Sequence, residues 1–133
     1  MKSKLFVIGK PIKHSRSPTI HNFWIEKYSL NARYNKLEVD KTEIKDLIQQ
    51  VRDGKIKGLN ITIPYKKIMI DFVDEVEESA IRSNAINTVY RVNDKIIGAN
   101  TDGIGFISSL KTDLNFNINS NTNVMCIGAG GAA

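Results

Sequence analysis

The stretch Gly58-Leu-Asn-Ile-Thr-Ile-Pro-Tyr-Lys66 contains the strand around which we expect the fold and the chemistry to be organised. Its residues alternate with the period of two that predicts a strand with one apolar and one polar face, Leu59, Ile61 and Ile63 against Asn60 and Thr62. Pro64 lacks the N–H that a sheet ladder needs, so it should end the strand. Strand ends in α/β proteins point into the ligand crevice, which makes Asn60, Thr62 and Lys66 candidates for one polar site. Taken alone, however, the stretch fits a buried edge strand followed by a solvated surface lysine better than it fits a polar site.

Length and composition describe one domain of ordinary size. The chain has 133 residues, of which 41% are hydrophobic and 25% charged, as in a soluble globular protein. The net charge of +5 comes from 19 basic and 14 acidic residues that are interspersed. Because no basic stripe with interleaved aromatics is visible, nucleic-acid binding is disfavoured, and the charge is only a weak hint of anionic ligands.

No membrane or export signal is visible in the sequence. It contains no apolar run of about 18 residues, so a transmembrane helix is not expected. The apolar run Leu5–Ile8 is too short for a signal peptide. The single cysteine, Cys126, cannot form an internal disulfide, which favours the cytoplasm.

The other elements follow from local patterns. Residues 4–9 contain the continuous apolar run Leu5–Ile8, which predicts a buried parallel strand. Further strands are predicted at 33–39, and at 87–92 and 95–99 as a hairpin around Asn93-Asp94. Asp40 and Glu43 resemble a capping box that opens a helix to Arg52, with Ile44, Leu47, Ile48 and Val51 on its apolar face.

Four more helical segments are predicted. Ser17 and Pro18 fit an N-cap and first helical residue. That helix would place on its inner side Ile20, Phe23, Trp24 and Tyr28. Residues 68–76 and 77–83 have helical patterns. Asp102 is expected to cap a helix carrying Ile104, Phe106, Ile107 and Leu110.

The last part of the sequence has the order of a dinucleotide-binding unit that breaks off. Residues 115–123 are polar and predict a linker, and Val124–Ile127 predicts a buried strand with Cys126 as an inert core thiol. The following Gly128, Ala129, Gly130, Gly131 and Ala132 have the composition of a phosphate-binding turn. The helix that should follow is absent, so residues 124–133 are not expected to bind a nucleotide alone.

Three polar segments are candidates for chemistry. Ser15 and Ser17 lie beside a helix N-terminus and could hold a carboxylate, although simple capping by Ser17 is the plainer interpretation. The second segment is the group Asn60, Thr62 and Lys66. The third comprises Asn87-Thr88 and residues 100–103, whose amide, hydroxyl and carboxylate groups can bind ring hydroxyls. No cluster of His, Cys or carboxylates has metal-ligand spacing.

At these segments the sequence resembles the shikimate dehydrogenase family. The motifs, in the family's order and spacing, are Gly9-Lys-Pro-Ile-Lys-His-Ser-Arg-Ser-Pro-Thr-Ile-His-Asn22, Gly58–Lys66, Ala85-Ile-Asn-Thr88, Asn100-Thr-Asp-Gly103 and Gly128-Ala-Gly-Gly-Ala132. The resemblance implies an α/β fold: a substrate-binding domain with a mostly parallel sheet flanked by helices, followed by the first strand and glycine-rich loop of a truncated Rossmann domain. The implied division is 1–101 for the substrate-binding domain and 102–133 for a connecting helix, linker and start of the NADP domain.

The resemblance also implies an activity, the reversible NADP-dependent reduction of 3-dehydroshikimate to shikimate in aromatic amino acid biosynthesis. By this analogy Lys66 and Asp102 are the catalytic pair, with Lys66 acting as proton donor or as electrostatic stabiliser. The implied substrate-binding residues are Ser15, Ser17, Asn60, Thr62, Lys66, Asn87 and Asp102. The implied cofactor-binding residues are Gly128, Ala129, Gly130, Gly131 and Ala132.

Two alternatives remain at this point. One is a quinate/shikimate dehydrogenase, because the residues that would distinguish NADP from NAD are not in the sequence. The other is a non-catalytic domain that binds a shikimate-like ligand. The chain by itself is expected to be inactive, and a homodimer is left open.

Overall fold

In the computed structural model, which describes residues 2–132, six strands form one mixed sheet with helices on both faces. The strands are β1 (Ser3–Gly9), β2 (Ala32–Glu38), β3 (Gly58–Ile61), β4 (Glu75–Val76), β5 (Thr88–Val92) and β6 (Lys95–Ala99). The α-helices are α1 (Ser17–Lys27), α2 (Ile44–Arg52), α3 (Glu78–Ser83) and α4 (Asp102–Asp113). Two 3-10 helices span Lys41–Glu43 and Ile68–Phe72.

The strand order is β2-β1-β3-β5-β6-β4, which places the predicted strand β3 in the interior of the sheet. The pairs β1–β2, β1–β3 and β4–β6 are parallel, whereas β3–β5 and β5–β6 are antiparallel. The α/β fold class is therefore confirmed, with a mixed sheet in which parallel pairs are the majority. In register, Val7 pairs with Asn60 and Asn60 pairs with Thr88, so these side chains share one face.

The two faces of the sheet carry different cores, because successive residues of a strand point to opposite sides. On one face Ile8 packs with Leu59, Ile61 and the apolar side of α2. On the other face Val7 packs with Ile25 of α1 and with Tyr34. The polar candidates on β3 and β5 lie on the α1 side, next to the smaller of these cores.

Several local predictions are confirmed. The apolar residues of α2 are all buried, and its start carries the capping box, in which the Glu43 carboxylate accepts the Asp40 N–H at 2.7 Å. The hairpin of β5 and β6 turns at Asn93, whose φ of 53° is the left-handed conformation that such a turn requires.

The prediction for α1 was wrong in two respects. Its N-cap is Arg16, and Ser17 is already the first helical residue. The four residues predicted to point inwards are exposed: Ile20, Phe23, Trp24 and Tyr28. Instead Ile25 is buried and the half-buried His21 and Asn22 contact Tyr34 of β2, so the helix presents a largely polar side to the sheet.

Two predictions after β3 were also wrong. The strand ends at Ile61, because the chain turns at Thr62, whose carbonyl accepts the Tyr65 N–H at 3.0 Å. Ile63 is consequently 58% exposed, and Tyr65 and Lys66 are buried in its place. Residues 68–76 are not one helix, since the 3-10 helix ends at Phe72 and Glu75–Val76 pairs with β6.

Beyond position 101, the predicted cap of α4 at Asp102 and the predicted buried strand at 124–127 were both wrong. None of the residues of α4 is buried, and its N-cap is Thr101, not Asp102. Residues 124–127 form no strand, and Val124, Met125 and Ile127 are between 76% and 90% exposed. Cys126 is exposed as well. A strand is stable only beside other strands, and within residues 2–132 the sheet offers this segment no neighbour.

Candidate active site

An ion pair between Lys66 and Asp102 forms the centre of the candidate site. Lys66 follows the turn after β3, and its Nζ donates to Asp102 Oδ2 at 2.6 Å. The Lys66 side chain is only 11% exposed, whereas Asp102, in the first turn of α4, is 43% exposed. A buried ammonium needs such a partner, because its desolvation is costly. The pair therefore presents a fixed positive charge and a solvent-accessible carboxylate at one place.

Asn87 holds the Asp102 side of this pair. Its Nδ2 donates to Asp102 Oδ1 at 2.8 Å and to Thr101 Oγ1 at 2.9 Å. Its Oδ1 accepts the backbone N–H of Thr101 at 3.0 Å. Asn100 adds a further bond, since its Oδ1 accepts the Asp102 N–H at 2.9 Å. Asn87 thus orients the Asp102 carboxylate and Asn100 holds the Asp102 backbone, and both asparagines are buried.

A third asparagine, Asn60, continues the hydrogen bonds along the sheet. Its Nδ2 donates to Thr88 Oγ1 and to the Asn87 carbonyl, both at 3.2 Å. The Thr88 hydroxyl in turn donates to Asn87 Oδ1 at 2.8 Å. On its other side Asn60 Oδ1 accepts the Tyr34 hydroxyl at 2.7 Å. One continuous set of hydrogen bonds therefore joins β2, β3 and β5 to Asp102 and Lys66.

The two serines lie at the start of α1, at the far end of these bonds. Ser15 Oγ accepts the Ser17 N–H at 3.3 Å, and the Ser17 side chain is hydrogen-bonded to Tyr34. Burial raises the pKa of the Tyr34 hydroxyl, and the Ser17 bond opposes that rise. Because the single Tyr34 proton goes to Asn60 Oδ1, Ser17 is the donor in its bond with Tyr34. Hydrogen-bonded side chains therefore connect Ser17 to Lys66, and Ser15 lies beside Ser17.

Thr62 and the glycine segment are arranged differently. The Thr62 methyl group packs against Gly9, where an added Cβ would lie 2.5 Å from it. Gly131 lies against Lys66, whose Cβ would be 3.0 Å from an added Cβ, and Lys67 Nζ donates to the Ala129 carbonyl at 3.2 Å. Gly128 has a φ of +117°. In the part of the chain that the structure describes, no strand lies directly before Gly128–Ala132 and no helix directly after it. These residues therefore do not form the strand–turn–helix of a dinucleotide site.

Tyr34 is the residue that the sequence analysis missed. A tyrosine in a buried strand needs a partner for its hydroxyl, and that signal was present in the predicted strand 33–39. The identity of the partner could not be inferred, because it depends on the order of β2, β1 and β3 across the sheet.

Two features are absent from the described residues. No helix among residues 2–132 is long and apolar enough to cross a membrane. In the same range no group of three His, Cys, Asp or Glu side chains is arranged to hold a metal ion.

Comparisons with known proteins find relatives that match almost the whole chain. The chain is 52% identical over 132 residues to shikimate dehydrogenase (NADP(+)) of Pelagibacter ubique, covering 98% of this chain and 49% of that protein. It is 41% identical to the enzyme of the same name from Bacillus subtilis, covering 100% and 47%. The structure of shikimate 5-dehydrogenase from Thermus thermophilus in complex with shikimate matches with a TM-score of 0.88 at 32% identity, covering 98% of this chain and 49% of that one.

These relatives also define the extent of the match. The chain spans about half the length of the curated relatives it matches. A model of the shikimate dehydrogenase substrate binding domain matches residues 7–89, which is more than half of the chain. This protein therefore belongs to the shikimate dehydrogenase substrate-binding domain family.

Proposed function

We propose that this chain supplies the substrate side of an NADP-dependent shikimate dehydrogenase, which reversibly reduces 3-dehydroshikimate to shikimate. The observation that carries the proposal is the Lys66–Asp102 pair, a nearly buried ammonium 2.6 Å from a carboxylate that Asn87 orients. The relatives named shikimate dehydrogenase (NADP(+)) support it. The structural relative in complex with shikimate supports the substrate class.

The substrate would lie along the hydrogen-bonded side chains. Ser15 and Ser17 at the start of α1 would hold the carboxylate, because hydroxyl donors and the positive end of a helix both favour an anion. Ring hydroxyls would bind to amide, hydroxyl and carboxylate groups at the other end, namely Asn60, Thr62, Asn87 and Asp102. The Thr62 hydroxyl is available for this role, since its methyl group makes the packing contact with Gly9.

Lys66 and Asp102 would carry the chemistry. When the ketone is reduced, negative charge develops on its oxygen, and an ammonium placed there stabilises that charge. The same ammonium can donate the proton that the alcohol requires. Asp102 would keep Lys66 in place and accept a hydrogen bond from a substrate hydroxyl through its exposed side.

The cofactor would be held mainly by residues that correspond to the second half of the longer relatives. Gly128, Ala129, Gly130, Gly131 and Ala132 would form the start of its phosphate-binding turn, and NADPH would supply the hydride. We propose residues 1–101 as the substrate-binding domain and 102–133 as the connection to the cofactor domain. The chain alone is expected to show no NADP reduction with shikimate.

Ligand binding by the chain tests the substrate part of the proposal. Shikimate titrated into the ¹⁵N-labelled chain should shift the amides of Ser15, Ser17, Lys66 and Asp102, with a millimolar dissociation constant. Benzoate, which has the carboxylate but no hydroxyls, should shift only the amides near the two serines. Unchanged spectra at tens of millimolar shikimate would contradict the proposal.

Activity tests the catalytic part. The chain can be fused at its phosphate-turn motif to the second half of a full-length relative, and the fusion assayed with shikimate and NADP. The variant Lys66→Met should lower kcat by about 10²–10⁴-fold, the usual contribution of a positioned acid. Lys57→Met, at an exposed lysine just before β3, is the matched control and should keep the activity. Equal rates in the two variants would rule out Lys66 as the catalytic group, and assaying quinate in parallel addresses the alternative substrate.

A further inference from the structure

We propose that Tyr34 is a positioning residue of this site, whose hydroxyl fixes the orientation of the Asn60 carboxamide and sets the hydrogen-bond partner of Ser17. The proposal rests on the proposed function, since it names a residue through which that site would distinguish substrate hydroxyls. Tyr34 would act through Asn60 and Ser17, without contact to the reacting atoms.

The Tyr34 ring is held firmly from α1. The residue is 3% exposed, and its ring stacks on His21 with centroids 4.2 Å apart and planes inclined by 11°. Asn22 binds its backbone twice, donating from Nδ2 to the Tyr34 carbonyl at 2.8 Å and accepting the Tyr34 N–H at 3.0 Å. The half-buried polar residues of α1 thus serve to place one tyrosine.

The Tyr34 hydroxyl determines which way Asn60 faces. A phenol has one proton, and here it goes to Asn60 Oδ1 at 2.7 Å. The oxygen end of the carboxamide must therefore face Tyr34, which leaves Nδ2 towards Thr88 and Asn87. Without the Tyr34 proton, the orientation of the carboxamide depends on the Asn87 carbonyl alone, which accepts from Nδ2 at 3.2 Å, since the Thr88 hydroxyl can donate as well as accept.

The Tyr34 hydroxyl oxygen also accepts a hydrogen bond from the Ser17 hydroxyl. The Tyr34 proton is given to Asn60, so Ser17 donates to the Tyr34 oxygen, and the Ser17 proton must turn away from Tyr34 before it can bind a carboxylate. Ser15 has no such competition, because its Oγ accepts the Ser17 N–H and keeps its own proton available. Removing the Tyr34 oxygen therefore disturbs the recognition of hydroxyls through Asn60, while it leaves two serine protons for the carboxylate.

Removing the Tyr34 oxygen should therefore weaken the recognition of hydroxyls but not that of the carboxylate. This difference distinguishes a positioning role from a purely structural one. The variant Tyr34→Phe keeps the ring and its stack on His21. Its dissociation constant for shikimate should rise about fivefold to tenfold, the usual effect of one hydrogen bond. For cyclohex-1-ene-1-carboxylate, which lacks the ring hydroxyls, it should change less than about twofold. Tyr90→Phe is the matched control, since the Tyr90 hydroxyl donates to Glu77 outside the site, and both ligands should bind it as they bind the unaltered chain.

A measurement without ligand makes the outcome independent of the proposed function. The Asn60 side-chain amide resonances of the free chain should shift in Tyr34→Phe and stay in place in Tyr90→Phe. If they do not move in Tyr34→Phe, or if both ligands lose affinity equally, the proposal is overturned. If the unaltered chain does not bind shikimate at all, the proposed function fails, and the Asn60 resonances still decide the role of Tyr34.

Discussion

Two segments of similar apolar character have opposite fates in this chain. Leu5–Ile8 in β1 and Val124–Ile127 near the end of the sequence are both short apolar runs. Val7 and Ile8 are 3% and 0% exposed, whereas Ile127 is 90% exposed. The difference lies in the neighbours, because β1 is paired with β2 on one side and β3 on the other. Apolar character makes a strand only where a sheet accepts it.

The same contrast in burial holds between two larger regions of the chain, a first region that ends at Ala99 and a second region of residues 102–132. Every buried apolar residue of the described chain lies at or before Ala99. The second region, residues 102–132, is attached mainly at its first residue, where Asp102 meets Lys66, Asn87 and Asn100. The candidate site therefore lies at the joint between a packed region and an exposed one.

The largest expected effect is on the core of the first region. Ile86 is completely buried, and its Cδ1 lies 2.3 Å from where a Cβ on Gly98 would be. Ile86→Ala should lower the free energy of unfolding by about 3 kcal/mol, since a cavity would remain. Ile107→Ala, at a residue of α4 that is 48% exposed, should change it by less than about 0.5 kcal/mol. Urea unfolding of both variants measures the difference, and similar losses would show that α4 is packed.

The second largest effect on stability is expected at the Lys66–Asp102 pair, where the two regions meet. Asp102→Ala leaves the Lys66 ammonium without its carboxylate and should cost about 2 kcal/mol, less than a fully buried pair because Asp102 is 43% exposed. Lys10→Met breaks the exposed pair with Asp40 and should cost less than about 0.5 kcal/mol. In a double variant, Lys66→Met should restore part of the stability that Asp102→Ala removes. A double variant less stable than either single one would mean that the pair is not coupled.

The elements that the sequence predicted well are those with a strong local signal. The capping box and apolar spacing of α2 and the turn of the β5–β6 hairpin depend on residues close in sequence. The orientation of α1 was not predictable in this way. Helical spacing identifies residues that share a face, but here the side towards the sheet carries His21 and Asn22, whose use depends on Tyr34 across the fold. The two-residue β4 likewise exists only through its pairing with β6.

The residues of the candidate site could be predicted from the sequence to different extents. Lys66 and Asp102 are 36 residues apart and were paired through the family resemblance, and the structure brings them into contact. Tyr34 belongs to none of the resembling motifs, so only the strand order reveals it. The glycine segment was identified by composition, but its cofactor role depends on a strand and a helix that residues 2–132 do not form.

A smaller effect tests the polar side of α1. Burial lowers the pKa of His21 from its ordinary value of 6.5. As the pH falls through 6.5 the unfolded chain binds the proton first, so stability should decrease towards lower pH until the folded form is protonated too. His21→Phe keeps a ring on Tyr34 but cannot titrate, and it should flatten the change in urea midpoint between pH 7 and pH 5. An equally steep change in the variant would contradict a buried His21.

The smallest effect is expected from removing the end of the chain. Residues 119–132 contact the first region through the Lys67 bond to Ala129 and the approach of Gly131 to Lys66. The exposed hydrogen bond and the side-chain-free glycine should add little, so deleting residues 119–133 should change the free energy of unfolding by less than about 0.5 kcal/mol. Urea unfolding of the shortened chain measures this. A loss comparable to that of Ile86→Ala would mean that Val124–Ile127 packs as a strand, and would remove the contrast with β1. An unchanged stability would show that this run adds nothing to the packing of the first region.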